Sequence, residues 1–587
     1  MDRPILSLDR SFTYRLNGEL DSGVGSLVQV PFHGKLVRGW VLGPATELSK
    51  RTLDVKRSVS PVRFFDRDML QLARWVSERY VAPLAAVLAR IAPPRVASEE
   101  MGTGRSEPRH APASSTVPSV LDDYPGAPGL LSCLRNARAL ADGFVLRPAP
   151  DQEPATTVEA VGACLASGRR ALVIVPEAEP VPASAAALRD TFGDRTALFV
   201  GGSKRARFRM WLDIQAGRYD VVVGTRPAVF APLRGLGLIL VSRESHPAHR
   251  EDRAPYYHVR DVALARGRLA GAVCVLSALC PSSEAAALRL PEVSPSRRRW
   301  PPVEIVRPGP EGRAPRLVRA LRGAARGFLF SPLPGYGIAA VCRTCGAPAT
   351  CALCGGLLRS EEGVVRCLVC EAPASCAACG GTRFGLRRGG AERVEEWAAR
   401  ATETPVHRLG PQDQPRLPLE GEILVGGPDD VRDLGPGGLD LVGILDADRA
   451  ERRPGLSARE RAVTTWMEAV AWAYPGGRAI VQATRANDPA VQALVRGNPD
   501  RFHAEEAARR LDAGFPVGSA VFRVVGTGAL EAALRELDPR TLLVTSLGER
   551  TVCLLALDPE RVPAFGRTAR ELAARDVVVR VEAEPHL

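Results

Sequence analysis

Gly217-Arg218-Tyr219-Asp220-Val221-Val222-Val223-Gly224-Thr225-Arg226-Pro227-Ala228-Val229-Phe230-Ala231-Pro232-Leu233 holds a short apolar run, Val221 to Val223, of the kind that forms a buried strand. Runs like it return on either side, at Ala171 to Val175, Ala197 to Val200, Leu238 to Val241 and Val273 to Leu276. Ala/Arg/Glu-rich helical stretches separate them. That alternation, from about residue 130 to 300, predicts a parallel sheet with helices on both faces. A second set follows at Glu422 to Val425, Leu441 to Leu445 and Ala479 to Val481. Two α/β lobes are therefore expected, at 129–330 and 383–510, with residues 338–382 inserted between them.

The insertion is rich in cysteine. Eight of the thirteen cysteines fall in four Cys-x-x-Cys pairs between Cys342 and Cys379, while Cys133, Cys164, Cys274, Cys280 and Cys553 are scattered. Such clustering points to metal rather than disulfides, and so to a reducing compartment. Two tetrahedral all-cysteine zinc sites use every sulfur of the cluster. The spacing is symmetrical about its centre, which favours nesting: Cys342, Cys345, Cys376 and Cys379 on an outer ion, Cys351, Cys354, Cys367 and Cys370 on an inner one. An interleaved pairing, an iron–sulfur cluster and free thiols are the alternatives. Four thiolates leave no open position for water, so both ions are expected to be structural. Gly346, Gly355, Gly356, Gly380 and Gly381 allow the tight turns.

The flanks are plainer. Residues 1–95 read as a small β-rich unit, with strands at Gly25 to Pro31 and Gly39 to Gly43 and a helix from Asp66 to Glu78. Residues 96–128 are rich in Ser, Pro, Gly and charge, and read as a flexible linker. Residues 511–587 read as a small α+β unit with strands at Thr541 to Thr545, Val552 to Leu555 and Val577 to Val581. At 587 residues and 45% hydrophobic, several domains are needed. No window holds 18 uninterrupted apolar residues and the first residues lack a signal-peptide layout, so a soluble cytoplasmic protein is the expectation. The net charge of +12 favours a polyanionic partner. Nearly all of it is arginine, with lysine only at 35, 50, 56 and 204.

The cysteine layout inside a second α/β lobe, together with Gly217 to Leu233, Pro255 to Asp261, Leu441 to Asp448 (LVGILDAD) and Arg459-Glu460-Arg461, resembles the primosomal protein N′ (PriA) family of superfamily 2 helicases of bacterial replication restart. The resemblance covers most of residues 1–500. It implies two RecA-like lobes, a cysteine-rich double-zinc insertion, and an N-terminal domain that captures the 3′ end of a nascent strand at a replication fork. Leu8 to Tyr14 is similar to that domain's entry segment. There Phe12 would stack on a terminal base, Thr13 stands where an aspartate would meet the 3′-hydroxyl, Gly34 allows close approach, and Lys56 reaches phosphate. Leu72 to Leu84 matches the start of the next region, whose winged-helix module the linker replaces. Single-stranded-DNA-binding protein, the replicative helicase and other primosome components are the implied partners, and the nucleoid the implied place.

The implied ATPase does not follow. A phosphate loop of the form GxxxxGK[ST] is absent; its place reads Arg147-Pro148-Ala149-Pro150-Asp151-Gln152-Glu153-Pro154, whose prolines lack the N–H groups a phosphate needs. The magnesium-binding DEEH is replaced by Ser242-Arg243-Glu244-Ser245, the second-lobe arginine by Ala469 to Tyr474, and the Thr-Gln pair is missing near Gly426-Gly427-Pro428. The expectation is a fork-binding scaffold without catalytic or nucleotide-binding residues. The rivals are an active 3′-to-5′ helicase and a zinc-dependent interaction module that does not bind DNA. Lys204, Arg205, Arg207 and Arg209, and Arg297 to Arg299 beside Trp300, are either phosphate grips or solvated loops. Asp446 and Asp448 sit at a strand end, where such residues cap turns.

Overall fold

Val221–Gly224 is buried along its whole length, flanked in parallel by Arg170–Ile174 and Thr196–Phe199. Burial on both faces is why these strands read as continuous apolar runs rather than alternating ones. The sheet has seven strands, in the order Glu292–Val293, Phe144–Leu146, Val273–Ser277, Leu236–Val241, Arg170–Ile174, Val221–Gly224, Thr196–Phe199. A second parallel sheet of six runs Val303–Val306, Arg478–Gln482, Leu441–Ile444, Arg326–Phe330, Glu422–Gly426, Val406–Arg408. The computed structural model describes residues 5–16, 22–45, 52–100, 117, 119–136, 143–297, 299–309, 313–331, 338–347, 349, 351–352, 358–361, 364–367, 372–387, 390–410, 412–447, 455–547 and 550–585.

Two expected boundaries move. Val303–Val306 and Arg326–Phe330 pair with strands of the second sheet, so the first lobe ends after Val293 rather than at residue 330. Local pattern marks a strand but not which sheet it joins. The linker expected over 96–128 is narrower too. Glu99 and Glu100, in the short helix Ala97–Glu100, are buried: Glu99 pairs with Arg205 at 2.5 Å, and Glu100 with Arg95 at 2.6 Å. At the other end the Val120 and Leu121 N–H groups donate to Glu159, and a helix begins at Ala127. The rest of that segment, 101–116 and 118, lies outside the described residues.

The N-terminal unit is an antiparallel sheet, Lys35–Trp40, Ser26–Phe32, Arg57–Arg63, followed by the helix Arg67–Arg79, which Asp66 caps by accepting from the Met69 N–H. The C-terminal unit is an antiparallel sheet ordered Thr541–Leu547, Arg550–Leu557, Ala520–Gly526, Val578–Ala583, crossed by the helix Val562–Ala574. Both pack on the first lobe. Phe64 stacks on Trp211 at 5.7 Å, Trp211 on Phe208 at 6.0 Å, and the Trp211 Nε1–H donates to Ile91 O at 3.1 Å. No helix among the described residues is long and apolar enough to cross a membrane.

Candidate functional site

The cysteine segment is a small antiparallel sheet, Val364–Cys367, Leu358–Glu361, Ile338–Cys342, Phe384–Arg387, from whose ends tight turns project. In the first turn the Cys342 N–H donates to Ala347 O and the Gly346 N–H to Cys342 O; the Cys376 turn repeats both bonds, with Gly381 O and Gly380 N–H. Gly346 and Gly380 have φ of +76° and +71°, which a side chain disfavours. The turns bring the Sγ atoms of Cys342, Cys345, Cys376 and Cys379 within 4.8 Å of one another, with Cys342–Cys379 and Cys345–Cys376 both at 3.7 Å. A tetrahedral ion with bonds of about 2.3 Å needs sulfur–sulfur edges of about 3.8 Å, so the donor set fits zinc. N–H groups of Cys345 and Thr344 aimed at the Cys342 sulfur hold its thiol down at about 6. Against the pull of the Gly381 N–H, the Cys379 thiol is pushed up to about 12 by the sulfurs of Cys345, Cys342 and Cys376. Four thiolates this close would repel one another, so a bound cation would stabilise the set. Of the expected inner set, Cys351 and Cys367 are buried here, and the Cys367 N–H donates to Ala372 O; Cys354 and Cys370 lie outside the described residues.

The cleft between the lobes is filled by the chain's own polar contacts. After the strand Phe144–Leu146, backbone donors that would cradle phosphate are spent internally: Ala149 N–H on the Tyr124 hydroxyl at 2.8 Å, and Gln152 N–H on Ala149 O at 2.9 Å. Glu153, first residue of the next helix, meets the Ser242 hydroxyl at 3.2 Å, and burial followed by the charge of Asp433 pushes its carboxyl up to about 8. Where a magnesium carboxylate would stand, Arg243 is buried at φ +48°. Its Nε donates to Glu468 at 3.0 Å, its Nη2 to Glu468 and to Val431 O, and its Nη1 lies 3.5 Å from Glu177. Glu244 accepts from Arg260 at 2.9 Å and from the Ser282 N–H and hydroxyl at 3.0 and 2.7 Å.

Glu177 also takes His246 at 2.8 Å and Arg432. Although burial opposes it, the hydrogen bond and charge of His246, with Arg243 and Arg432, hold this carboxyl down at about 2. A depressed carboxylate adds stability above its unfolded value, near 4.5, and loses it as pH falls toward 2. Glu177→Gln is expected to cost on the order of 3 kcal/mol at pH 7, the cost shrinking between pH 4.5 and 2; chemical denaturation of both proteins across that range checks it.

At the N-terminal unit Phe12 packs edge-on against Phe32 at 5.3 Å, beside the hairpin tip His33-Gly34, with the Arg10 guanidinium 5.1 Å over its ring. Gly34 has φ +74° and open space where a Cβ would project. Thr13 is exposed; Lys56 is exposed on the third-strand side, its N–H bonded to Gln29 O. Structure brings Phe12 and Gly34 to one end of the hairpin. The other candidates are ion-paired, hydrogen-bonded or exposed. Arg205 and Arg209 face Glu99, Arg299 pairs with Asp151 at 2.9 Å, and Trp300 donates to Leu494 O at 2.7 Å beneath Gly497. Lys204 and Arg207 are exposed; Arg298 and Asp448 lie outside the described residues; Asp446 is held by Arg313 and Gln482. Glu468, Arg432 and Asp433 were not singled out by sequence, though Glu468 is a lone acid within Trp466-Met467-Glu468-Ala469-Val470-Ala471.

Two parallel-sheet lobes, a cysteine cluster inserted in the second that can hold a metal ion, and an arginine-bridged cleft between the lobes define a two-lobed α/β protein with a metal-site insertion. Residues 2–93 match the family model of the 3′DNA-binding domain (3′BD). A probable replication restart protein PriA of Mycobacterium bovis is 30% identical over 96% of this chain and 92% of its own length, and replication restart proteins PriA of Treponema pallidum and Rickettsia conorii are 27% and 24% identical over 88% and 89% of this chain and 85% and 86% of theirs. The chain belongs to the replication restart protein PriA family.

Proposed function

We propose that this chain is a fork-recognising scaffold of replication restart that binds DNA without hydrolysing ATP, and helps assemble the primosome and reload the replicative helicase. The observation carrying this reading is Arg243, buried in ion pairs where a magnesium carboxylate would be needed. Two zinc ions, one on each cysteine quartet, order the inserted unit into a shaped surface for partners, and the protein works in the cytoplasm at the nucleoid. The N-terminal hairpin takes the 3′ end, with Phe12 as stacking platform, Gly34 as the close-approach position, and Thr13 and Lys56 at the rim.

Fluorescence anisotropy of the zinc-loaded protein on a fork, a 3′-blocked fork and plain duplex, across a salt series with ATP hydrolysis followed in parallel, tests the reading. Fork-selective, salt-dependent binding without turnover is expected; turnover would restore the helicase, and binding to none would leave the interaction module. Phe12→Ala should weaken binding of the open fork by about 1–3 kcal/mol and leave the 3′-blocked fork unchanged; equal loss on both would rule out stacking on the strand end.

A further inference from the structure

Three of the units share one apolar core. Val76 of the N-terminal unit, Leu172 and Trp211 of the first lobe, and Phe522 and Phe565 of the C-terminal unit all belong to it. Polar contacts run along its seams: Arg570 pairs with Asp9 at 2.8 Å, and the Tyr80 hydroxyl donates to Asp261 at 2.9 Å. The second lobe is different. Its two cores are its own, with Cys280 their only first-lobe member among the described buried residues. It meets the first lobe chiefly through buried polar groups.

These groups bridge the cleft on two sides. On one, Arg243 spends all three guanidinium nitrogens on Glu468, Val431 O and Glu177, and Arg432 returns from the second lobe to Glu177. Beside them Asp433 accepts from the Ser184 N–H at 3.1 Å and hydroxyl at 2.6 Å, and its carbonyl takes the Ala183 N–H at 3.0 Å. On the other side Glu460 accepts from the Ser283 N–H at 2.9 Å and hydroxyl at 3.0 Å, and Arg510 links Glu460 to Glu284.

A buried pair adds little net energy against water, but removing or misplacing one partner is costly. Arg243 and Glu468 are only 3% and 8% exposed, so a partial opening or rotation strands charge in an apolar setting. One lobe arrangement alone satisfies the set. We infer that the former nucleotide cleft is an inter-lobe lock, in which the chain's own arginine–carboxylate pairs replace metal and phosphate and hold the protein in a single, nucleotide-independent arrangement. This rests on the reading of the cleft as non-hydrolytic. DNA then meets a preformed surface, and no fraction of the protein waits in a non-binding state.

Hydrogen exchange on the full-length, zinc-loaded protein tests the lock. The Ala183 and Ser184 amides, donated across the interface, are its direct probes. Protection there should be the same with and without Mg·ATP. Arg243→Met should speed their exchange roughly a hundredfold by leaving Glu468 unpaired, and Arg243→Met with Glu468→Met should recover most of the protection by making the pair apolar. Asp433→Ala, which leaves the Arg243–Glu468 pair itself in place, should speed the same two amides about tenfold while the lobe cores keep their protection; this variant decides the matter if Arg243→Met does not fold. Unprotected amides in the parent protein, protection altered by Mg·ATP, or unchanged rates in Asp433→Ala or in folded Arg243→Met would overturn the lock. ATP turnover in the same samples would sink the non-hydrolytic reading, whereas unlocked lobes without turnover would sink the lock alone.

Discussion

Stripping metal from the protein with a chelator, or replacing Cys376 by serine, is expected to unfold the inserted unit while leaving the lobes intact. The reason lies in what the unit buries. Among its described residues the buried cluster is Cys342, Ala349, Cys351, Leu358, Cys367, Ala374, Cys376 and Phe384, half of it cysteine. That apolar set is too small to order four short strands unaided. A structural zinc supplies on the order of 10 kcal/mol or more, nearly all of it folding energy here. Limited proteolysis should cut the segment 338–387 rapidly in the stripped protein, with zinc release measured by a chromogenic chelator, and readdition should restore resistance to the parent but not to Cys376→Ser. A stripped protein that stays resistant would mean that the unit stands on apolar packing.

Trp211→Ala should cost about 3–5 kcal/mol, the usual range for a buried aromatic that leaves a cavity. This ring is fully buried in the core shared by the N-terminal unit and the first lobe, stacked against Phe64 and Phe208, which also meet each other. It also gives its indole N–H to Ile91 O, which would lose its partner. The loss should appear as a lower midpoint in denaturant and as detachment of the N-terminal unit, read by earlier cleavage near 95. Trp211→Phe, which keeps the ring but not the N–H, should fall between. A variant that loses stability with no change in cleavage would mean that the unit is held by its other contacts, such as Tyr80 with Asp261.

Much of the frame was legible along the chain. Val221 to Val223 and the runs around it read as buried strands because a strand covered on both faces has no polar side to interrupt it. The symmetry of the spacing favoured the set Cys342, Cys345, Cys376 and Cys379 but left an interleaved pairing open, and the fold brings these four sulfurs together. Short strands such as Phe144–Leu146 and Val406–Arg408 were missed because three residues carry too little pattern. Glu99 and Glu100 read as linker because their composition is polar; the guanidiniums of Arg205 and Arg95 that bury them are distant or unmarked.

By itself, then, the sequence determined the two parallel-sheet lobes and the cysteine turns, since each depends on residues close together in the chain. It marked Arg243 as an arginine standing where the resemblance expects a magnesium carboxylate. Only the tertiary structure decided what that arginine does instead, because its partners Val431 and Glu468 stand 188 and 225 residues away, and a buried charge is made stable by whichever opposite charge the fold brings to it, which no local pattern records.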